Sequence, residues 1–173
     1  MWVDPENDPR DSDASVLGEK ANAVAYLERF RMTLEMKCDG LDAEQLARRT
    51  VPPSTMSLLG LVRHMAKVEH FWFRRVIEGT DADRIYWSAD VRDVDFDGAV
   101  PDDTVVADAW NSWHHEVAHA RTVLDGVEMG DTVLHDGEPV EIRDLVVHMI
   151  EEYARHCGHA DLLRECIDGR TGQ

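Results

Sequence analysis

Three histidines and one carboxylate recur at helical spacing near the end of the chain. His148, Glu152, His156 and His159 are separated by four, four and three positions. An α-helix turns by about 100° per residue, so these four side chains fall within about 80° of one another on a single face. Glu152 and His156 project side by side, and a carboxylate and an imidazole in that arrangement can chelate one divalent metal ion.

The same helical face is apolar at both ends of the helix, which indicates that it points into the protein. Leu145 and Leu163 fall within about 20° of Glu152 on the helical wheel. Burying a carboxylate and several imidazoles without partners would cost several kcal/mol. A metal ion satisfies such groups directly, but a hydrogen-bonded core network or one wall of a water-filled groove would also do so. The face therefore predicts a metal site, with these two polar arrangements as alternatives.

A metal ion between helices needs a further ligand, and the second long helix offers His64. This residue lies at the border of the apolar stripe of that helix, where its side chain can reach the interior. His70 falls well off the stripe and is a weaker choice. Arg75 shares the face of His64 and could meet an anionic ligand at the mouth of the site. Glu69 falls far from the stripe, and the pattern predicts that it is solvated.

Four long amphipathic segments must position these side chains. Apolar residues recur at helical spacing between capping or helix-stopping residues over four ranges, 18–38, 57–78, 102–124 and 142–167. A short helix is predicted within 41–49, and the aperiodic, Asp-rich stretch 80–100 predicts a long functional or mobile loop. The predicted fold class is all-α, a four-helix bundle. Residues 1–14 are expected to form an extended arm, and residues 15–173 a single domain.

The charge balance argues against polyanionic partners. The 173 residues include 35 Asp and Glu against 18 Lys and Arg, a formal net charge of −17, so nucleic acid and anionic membrane surfaces would be repelled. No apolar run approaches the roughly 20 residues that span a bilayer. The acidic N-terminus lacks the apolar segment of a signal peptide, and the three cysteines have no paired spacing. We therefore expect a cytoplasmic protein with reduced thiols.

Two segments carry a family resemblance. Residues 52–64, Pro-Pro-Ser-Thr-Met-Ser-Leu-Leu-Gly-Leu-Val-Arg-His, and residues 152–161, Glu-Tyr-Ala-Arg-His-Cys-Gly-His-Ala-Asp, resemble the DinB-like (YfiT-like) superfamily of metal-binding four-helix bundles. The resemblance implies a divalent metal ion, zinc or nickel, bound by His64 on the second long helix and by Glu152 and His156 on the fourth. Glu152 stands where many members have His. In having Glu at this position, the sequence resembles the mycothiol-dependent maleylpyruvate isomerases.

The resemblance also implies an activity. Characterised relatives are thiol-dependent transferases and isomerases, so we expect an S-transferase that joins mycothiol, or a similar small thiol, to an electrophilic substrate. A metal-dependent hydrolase and a non-catalytic, stress-related binding protein are the alternatives. His159 departs from the Gln of many relatives, which leaves open a role as fourth ligand, as a group behind the ligands, or as an acid–base catalyst. His148 and His159 are the expected catalytic residues, and Arg75 the expected co-substrate contact.

We also expect a homodimer. Proteins of the superfamily that this chain resembles often pair. Trp2 in the arm and the Tyr86–Trp87 pair in the long loop offer apolar surface without an obvious partner in the core.

Overall fold

A computed structural model describes residues 3–10 and 16–172, and most of them are helical. The prediction of a mostly helical chain is confirmed, and each of the four long helices lies within a few residues of its predicted bounds. The helices are α1 (Glu19–Cys38), α2 (Ala43–Ala47), α3 (Leu58–Glu69), which continues as a π-helical segment (His70–Ile77), α4 (Val94–Asp97), α5 (Asp103–Asp125) and α6 (Ile142–Asp168). A short 3₁₀ turn, Pro5–Asn7, precedes them.

Capping residues set the ends of these helices. Asp42 and Gln45 form a reciprocal capping box at the start of α2, and the Ser57 hydroxyl accepts a hydrogen bond from the Gly60 amide at the start of α3. These side chains satisfy amide groups that have no partner within the helix. At the end of α6, Gly169 adopts a left-handed conformation with φ of 78°, which glycine adopts without steric strain.

Helix α3 is the central helix of the fold. It packs against α4, α5, α6 and α1, and α1 also packs along α6. Apolar side chains from all four long helices form one contiguous core. Because neighbours surround α3, its buried residues are not confined to one stripe and include Leu58, Leu59, Leu61, Val62, Arg63, Met65, Ala66 and Glu69.

The second long helix changes its hydrogen-bonding pattern after Glu69. Within the π-helical segment, the amide of Glu78 donates to the carbonyl of Phe73, five residues earlier, at 3.1 Å. A π-helix has a wider turn than an α-helix. Positions beyond residue 69 therefore face directions that an α-helical wheel does not predict, and His70 is buried instead of lying off the apolar face.

The loop 80–100 is held against α3 by Arg63. The Arg63 guanidinium donates to the carbonyl of Asp95 at 2.8 Å and lies 4.0 Å from the centre of the Tyr86 ring. The Tyr86 hydroxyl in turn donates to Asp108 on α5 at 2.7 Å. Tyr86 therefore has partners within its own chain, contrary to the expectation from sequence, whereas Trp87 is exposed.

Close packing of the loop depends on a glycine in α3. A Cβ atom at Gly60 would lie 2.8 Å from the ring of Phe96. The missing side chain lets α4 approach α3, and the Phe96 ring then stacks on His64 at 5.2 Å.

A β-hairpin connects α5 to α6. Its strands, β1 (Thr132–His135) and β2 (Glu138–Glu141), are antiparallel, and Thr132 pairs with Glu141. The His135 ring of the hairpin packs against Trp72 of the π-helical segment at 4.9 Å.

The described part of the N-terminal region touches the helical body. Arg10 donates to the Thr33 hydroxyl of α1 at 3.2 Å, while Trp2 lies outside the described residues. Cys38 and Cys157 are buried, and Cys166 is exposed. None of the helices in the described ranges is long and apolar enough to cross a membrane.

Candidate metal centre

Three side chains from two helices converge in the interior beside α4. His64 comes from α3, and Glu152 and His156 come from α6, where their spacing of four residues places them on one face. One potential ligand atom from each residue lies within 4.8 Å of the other two. Within residues 3–10 and 16–172, no other set of three or more His, Cys, Asp or Glu side chains converges in this way. These three residues are called the triad below.

The triad has the spacing of a divalent metal site. The Nε2 atom of His156 lies 3.4 Å from Oε2 of Glu152, and the Nε2 atom of His64 lies 3.9 Å from the same oxygen. Ligands at about 2.0–2.1 Å from a tetrahedral zinc ion lie about 3.3 Å from one another. Small side-chain movements would bring these donors to that separation. Two imidazoles and a carboxylate also suit zinc or nickel by donor type, so the residues fit such an ion.

The electrostatics of His156 also suit a ligand. Burial and the neighbouring His64 lower the pKa of His156 to about 4. The imidazole is therefore neutral at pH 7, and a neutral ring is the form that binds a metal ion. His156 is 12% exposed and Glu152 18% exposed at the side chain, so the triad is largely shielded from water but still reachable by a small molecule.

Asp95, from the loop helix α4, fixes the orientation of His64. Its Oδ2 atom lies 2.8 Å from Nδ1 of His64 and accepts a hydrogen bond from Lys67 at 3.1 Å. Burial opposes ionisation, but the hydrogen bonds from His64 and Lys67 lower the pKa of Asp95 to about 2. An ionised Asp95 keeps the ring proton of His64 on Nδ1. The other ring nitrogen, Nε2, is then free to face Glu152 and His156. Sequence reasoning missed this residue because it lies in an aperiodic loop.

We expect Asp95→Asn to weaken zinc binding by roughly 10–100-fold, the usual effect of removing a carboxylate behind a metal-binding histidine. The substitution leaves the side-chain shape but removes the charge that favours the Nδ1–H tautomer. Competition with a chromophoric zinc chelator measures the affinity. Asp97→Asn is the matched control, since Asp97 is an exposed carboxylate of α4 that pairs with Arg49. Equal loss in both variants would contradict the assigned role of Asp95.

His159 occupies the corresponding position behind His156. Its Nδ1 atom lies 3.3 Å from Nδ1 of His156. It therefore contacts one ring nitrogen of this triad histidine, while the other, Nε2, lies near Glu152. Among the roles left open by sequence, this placement favours a group that orients His156.

His148 lies at the rim of the triad. Its Nε2 atom is 4.0 Å from Oε1 of Glu152, and its side chain is 36% exposed. The ring packs against Trp72 of the π-helical segment at 4.8 Å. The helical face that carries the four polar residues thus turns inward, with His148 at its solvent edge.

Arg75 lies apart from the triad. It donates to the carbonyl of Ala82 and pairs with Asp81 at 3.3 Å. Its side chain lines a separate cavity that Trp72 also lines. Trp72 packs against His148, so this cavity lies close to the rim of the triad.

The remaining histidines lie elsewhere. His114 and His119 bond to the surface carboxylates of Glu35 and Glu78 at 2.9 and 2.7 Å. His70, a weaker candidate ligand from sequence, is buried beside Glu116 and is outside the triad.

A sequence model of the mycothiol S-transferase family matches residues 22–169. The matched range begins in α1, ends just after α6 and includes the whole triad and Asp95. A comparison with curated proteins finds no match. The family match spans most of the chain and agrees with the DinB-like resemblance inferred from the segments around His64 and His156, so the chain belongs to the mycothiol S-transferase family of the DinB-like superfamily.

Proposed function

We propose that this protein is a metal-dependent enzyme that joins the thiol sulfur of mycothiol to an electrophilic carbon of a second substrate. The observation that carries the proposal is the triad, three nitrogen and oxygen donors that converge from α3 and α6 within a chain of the mycothiol S-transferase family. Structural zinc sites are usually closed and sulfur-rich, whereas three N/O donors leave a coordination position for a substrate. We further propose that the four long helices form a four-helix bundle around this site.

The triad residues His64, Glu152 and His156 would hold a divalent ion, zinc or nickel. When bound, such an ion supplies Lewis acidity and lowers the pKa of a thiol that reaches it. In the overall reaction a sulfur–carbon bond forms, the thiol proton is released, and a leaving group departs or electrons move into a conjugated acceptor.

The surrounding residues have separate tasks in this proposal. Asp95 and His159 orient the two triad histidines through their Nδ1 atoms. His148, at the half-exposed rim, accepts the thiol proton and passes it to water, since it is a histidine near the site that also reaches solvent. Phe96 stacks on His64 and shields that side of the triad from water.

We also propose that the protein works in the cytoplasm as a homodimer. Its three cysteines are free thiols, the usual state in a reducing compartment. The exposed Trp87 ring, carried by the long loop, offers apolar surface to a second copy.

Thiol dependence tests the proposed activity. Zinc-loaded protein is mixed with mycothiol and monobromobimane, and formation of the fluorescent conjugate is followed against the uncatalysed rate. Each turnover forms one sulfur–carbon bond and releases bromide and a proton. We expect His64→Ala to reduce the enzymatic rate by at least about a hundredfold, because it removes a ligand, and we expect His114→Ala to retain it.

Two outcomes would overturn the transferase assignment. Hydrolysis of esters or amides without thiol, unaffected by added mycothiol, would identify a metal-dependent hydrolase. Inertness in both assays, with metal still bound, would indicate a binding protein.

A further inference from the structure

A cavity lies beside the residues that flank the triad, and no triad residue lines it. It has a volume of about 370 Å³ and is enclosed by α3, the π-helical segment and residues 84–87 of the loop, and it is called the side cavity here. Two of its walls also contact the metal centre: Lys67 donates to Asp95 behind His64, and the Trp72 ring packs against His148. A volume of this size accommodates a small organic molecule.

The side cavity presents positive charge. Lys67, Arg75 and Arg84 line it, and its described lining includes no Asp or Glu. The charge of Lys67 is partly neutralised by Asp95. Arg75 pairs with Asp81, but that carboxylate is fully exposed, so water and salt weaken the pair. Arg75 and Arg84 therefore supply the cationic character that an anion in the cavity would meet.

The side cavity also has flat apolar walls. Trp72 and Trp87 both line it, and the Arg84 guanidinium lies 4.6 Å from the centre of the Trp87 ring. Indole rings and guanidinium groups stack on planar, conjugated molecules. A pocket that combines arginines with indoles is therefore suited to a planar ligand of negative charge.

His70 adds a second and independent sign of a ligand. It lines the side cavity, its side chain is only 7% exposed, and neither ring nitrogen forms a hydrogen bond within the described structure. Its Nδ1 atom lies 3.4 Å from the carboxylate of Glu116 without hydrogen-bond geometry. Buried polar groups in folded proteins almost always have partners. Both nitrogens are closed to solvent as the ring stands, so a polar ligand would provide a partner once the His70 ring turns toward the cavity.

We propose that the side cavity binds the electrophilic co-substrate, and that this co-substrate is a planar aromatic or conjugated molecule carrying a carboxylate. The inference rests on the proposed thiol transfer, since it places the electrophile beside His148 and Asp95, the residues that flank the triad. Trp72 and Trp87 contact the planar body, Arg75 and Arg84 bind the carboxylate, and His70 hydrogen-bonds a polar substituent.

Binding of 1-naphthoate tests this proposal without any turnover. The zinc-loaded full chain is titrated with 1-naphthoate and with the neutral, isosteric 1-naphthamide, by calorimetry and by quenching of tryptophan fluorescence. We expect the carboxylate to bind about tenfold or more tightly than the amide, the usual gain from a charge-assisted hydrogen bond. We expect the double variant Arg75→Gln, Arg84→Gln to bring the two affinities together, while Arg48→Gln, outside the cavity, leaves them apart.

The metal-stripped chain supplies the necessary control, since a carboxylate can also bind to zinc. Persistence of 1-naphthoate binding without metal supports the side cavity, and loss of binding would show that the carboxylate sits on the ion and overturn the proposal. Equal affinity of acid and amide, or no effect of the double variant, would also overturn it. If the mycothiol assay fails but 1-naphthoate still binds, thiol transfer alone is refuted. If the protein conjugates neutral electrophiles efficiently and 1-naphthoate does not compete, the side-cavity proposal alone is refuted.

Discussion

Replacing His156 by alanine should abolish metal binding by this protein. The triad holds an ion through two imidazoles and one carboxylate, and without His156 only His64 and Glu152 remain. Removing a group that merely orients a ligand weakens metal binding by roughly 10–100-fold, so removing the ligand itself should weaken it by at least about a hundredfold. Metal analysis of purified protein should give about one ion per chain for the unaltered sequence and close to none for His156→Ala.

His114→Ala is the matched control for this experiment. His114 is an exposed histidine on α5, and its ring is bonded to Glu35 at 2.9 Å. We expect this variant to retain full occupancy and unaltered zinc affinity. Circular dichroism of His156→Ala should remain helical, because the lost side chain is at the edge of the core. Full metal occupancy in His156→Ala would refute the triad as the metal site.

The helices and the triad were accessible from sequence because both depend on local spacing. Apolar residues at helical periods located all four long helices to within a few residues. Glu152 and His156 are four residues apart, so their proximity follows from the helix alone. His64 needed one further inference, that the border of an apolar stripe faces the interior, and the structure places it in the same cluster.

Other parts of the site depend on tertiary packing that leaves no periodic trace. Asp95 reaches His64 from 31 residues away, in a loop whose position depends on Arg63 and on the absence of a side chain at Gly60. The pattern of α3 was misleading for another reason. A helical wheel assumes one solvent face, but α3 has neighbours around most of its circumference, so Glu69 is fully buried.

The predicted solvation of Glu69 is therefore wrong, and the residue lies in a buried network. Arg31 of α1 donates to both Glu69 oxygens at 2.8 and 2.7 Å. The Tyr153 hydroxyl of α6 donates to Oε1 at 2.7 Å and accepts from the Trp113 indole at 2.9 Å. Burial and the charge of Glu69 raise the pKa of Tyr153 well above its usual range, so the phenol remains a donor. The network joins α1, α3, α5 and α6, and its Tyr153 follows the triad residue Glu152 in sequence.

We expect Glu69→Ala to lower the free energy of unfolding by about 3–5 kcal/mol, because it removes the fully buried carboxylate that pairs with Arg31. Within the described residues, Arg31 then keeps only Glu28, a partly exposed partner at 2.7 Å. For a chain of this length that loss of stability corresponds to a fall in Tm of roughly 6–20 °C. Urea denaturation measures the loss, with a chelator present so that metal binding does not contribute to stability. Glu35→Ala, an exposed carboxylate that pairs with His114, should change stability by less than about 0.5 kcal/mol.

A second variant separates loss of the ion pair from loss of side-chain volume. In Arg31→Met, Glu69→Leu both charges are replaced by apolar groups, and buried ion pairs often tolerate such replacement with little or no loss of stability. We therefore expect the double variant to be more stable than Glu69→Ala, even though it carries two changes.

The comparison of Glu69→Ala with Glu35→Ala also tests the link between the network and metal binding. If the network supports the triad through Tyr153 and the adjacent Glu152, zinc affinity should fall in Glu69→Ala more than in Glu35→Ala. A Glu69→Ala protein within about 1 kcal/mol of the unaltered chain would show that Glu28 alone satisfies the buried Arg31 charge, and would contradict a stabilising role of the network.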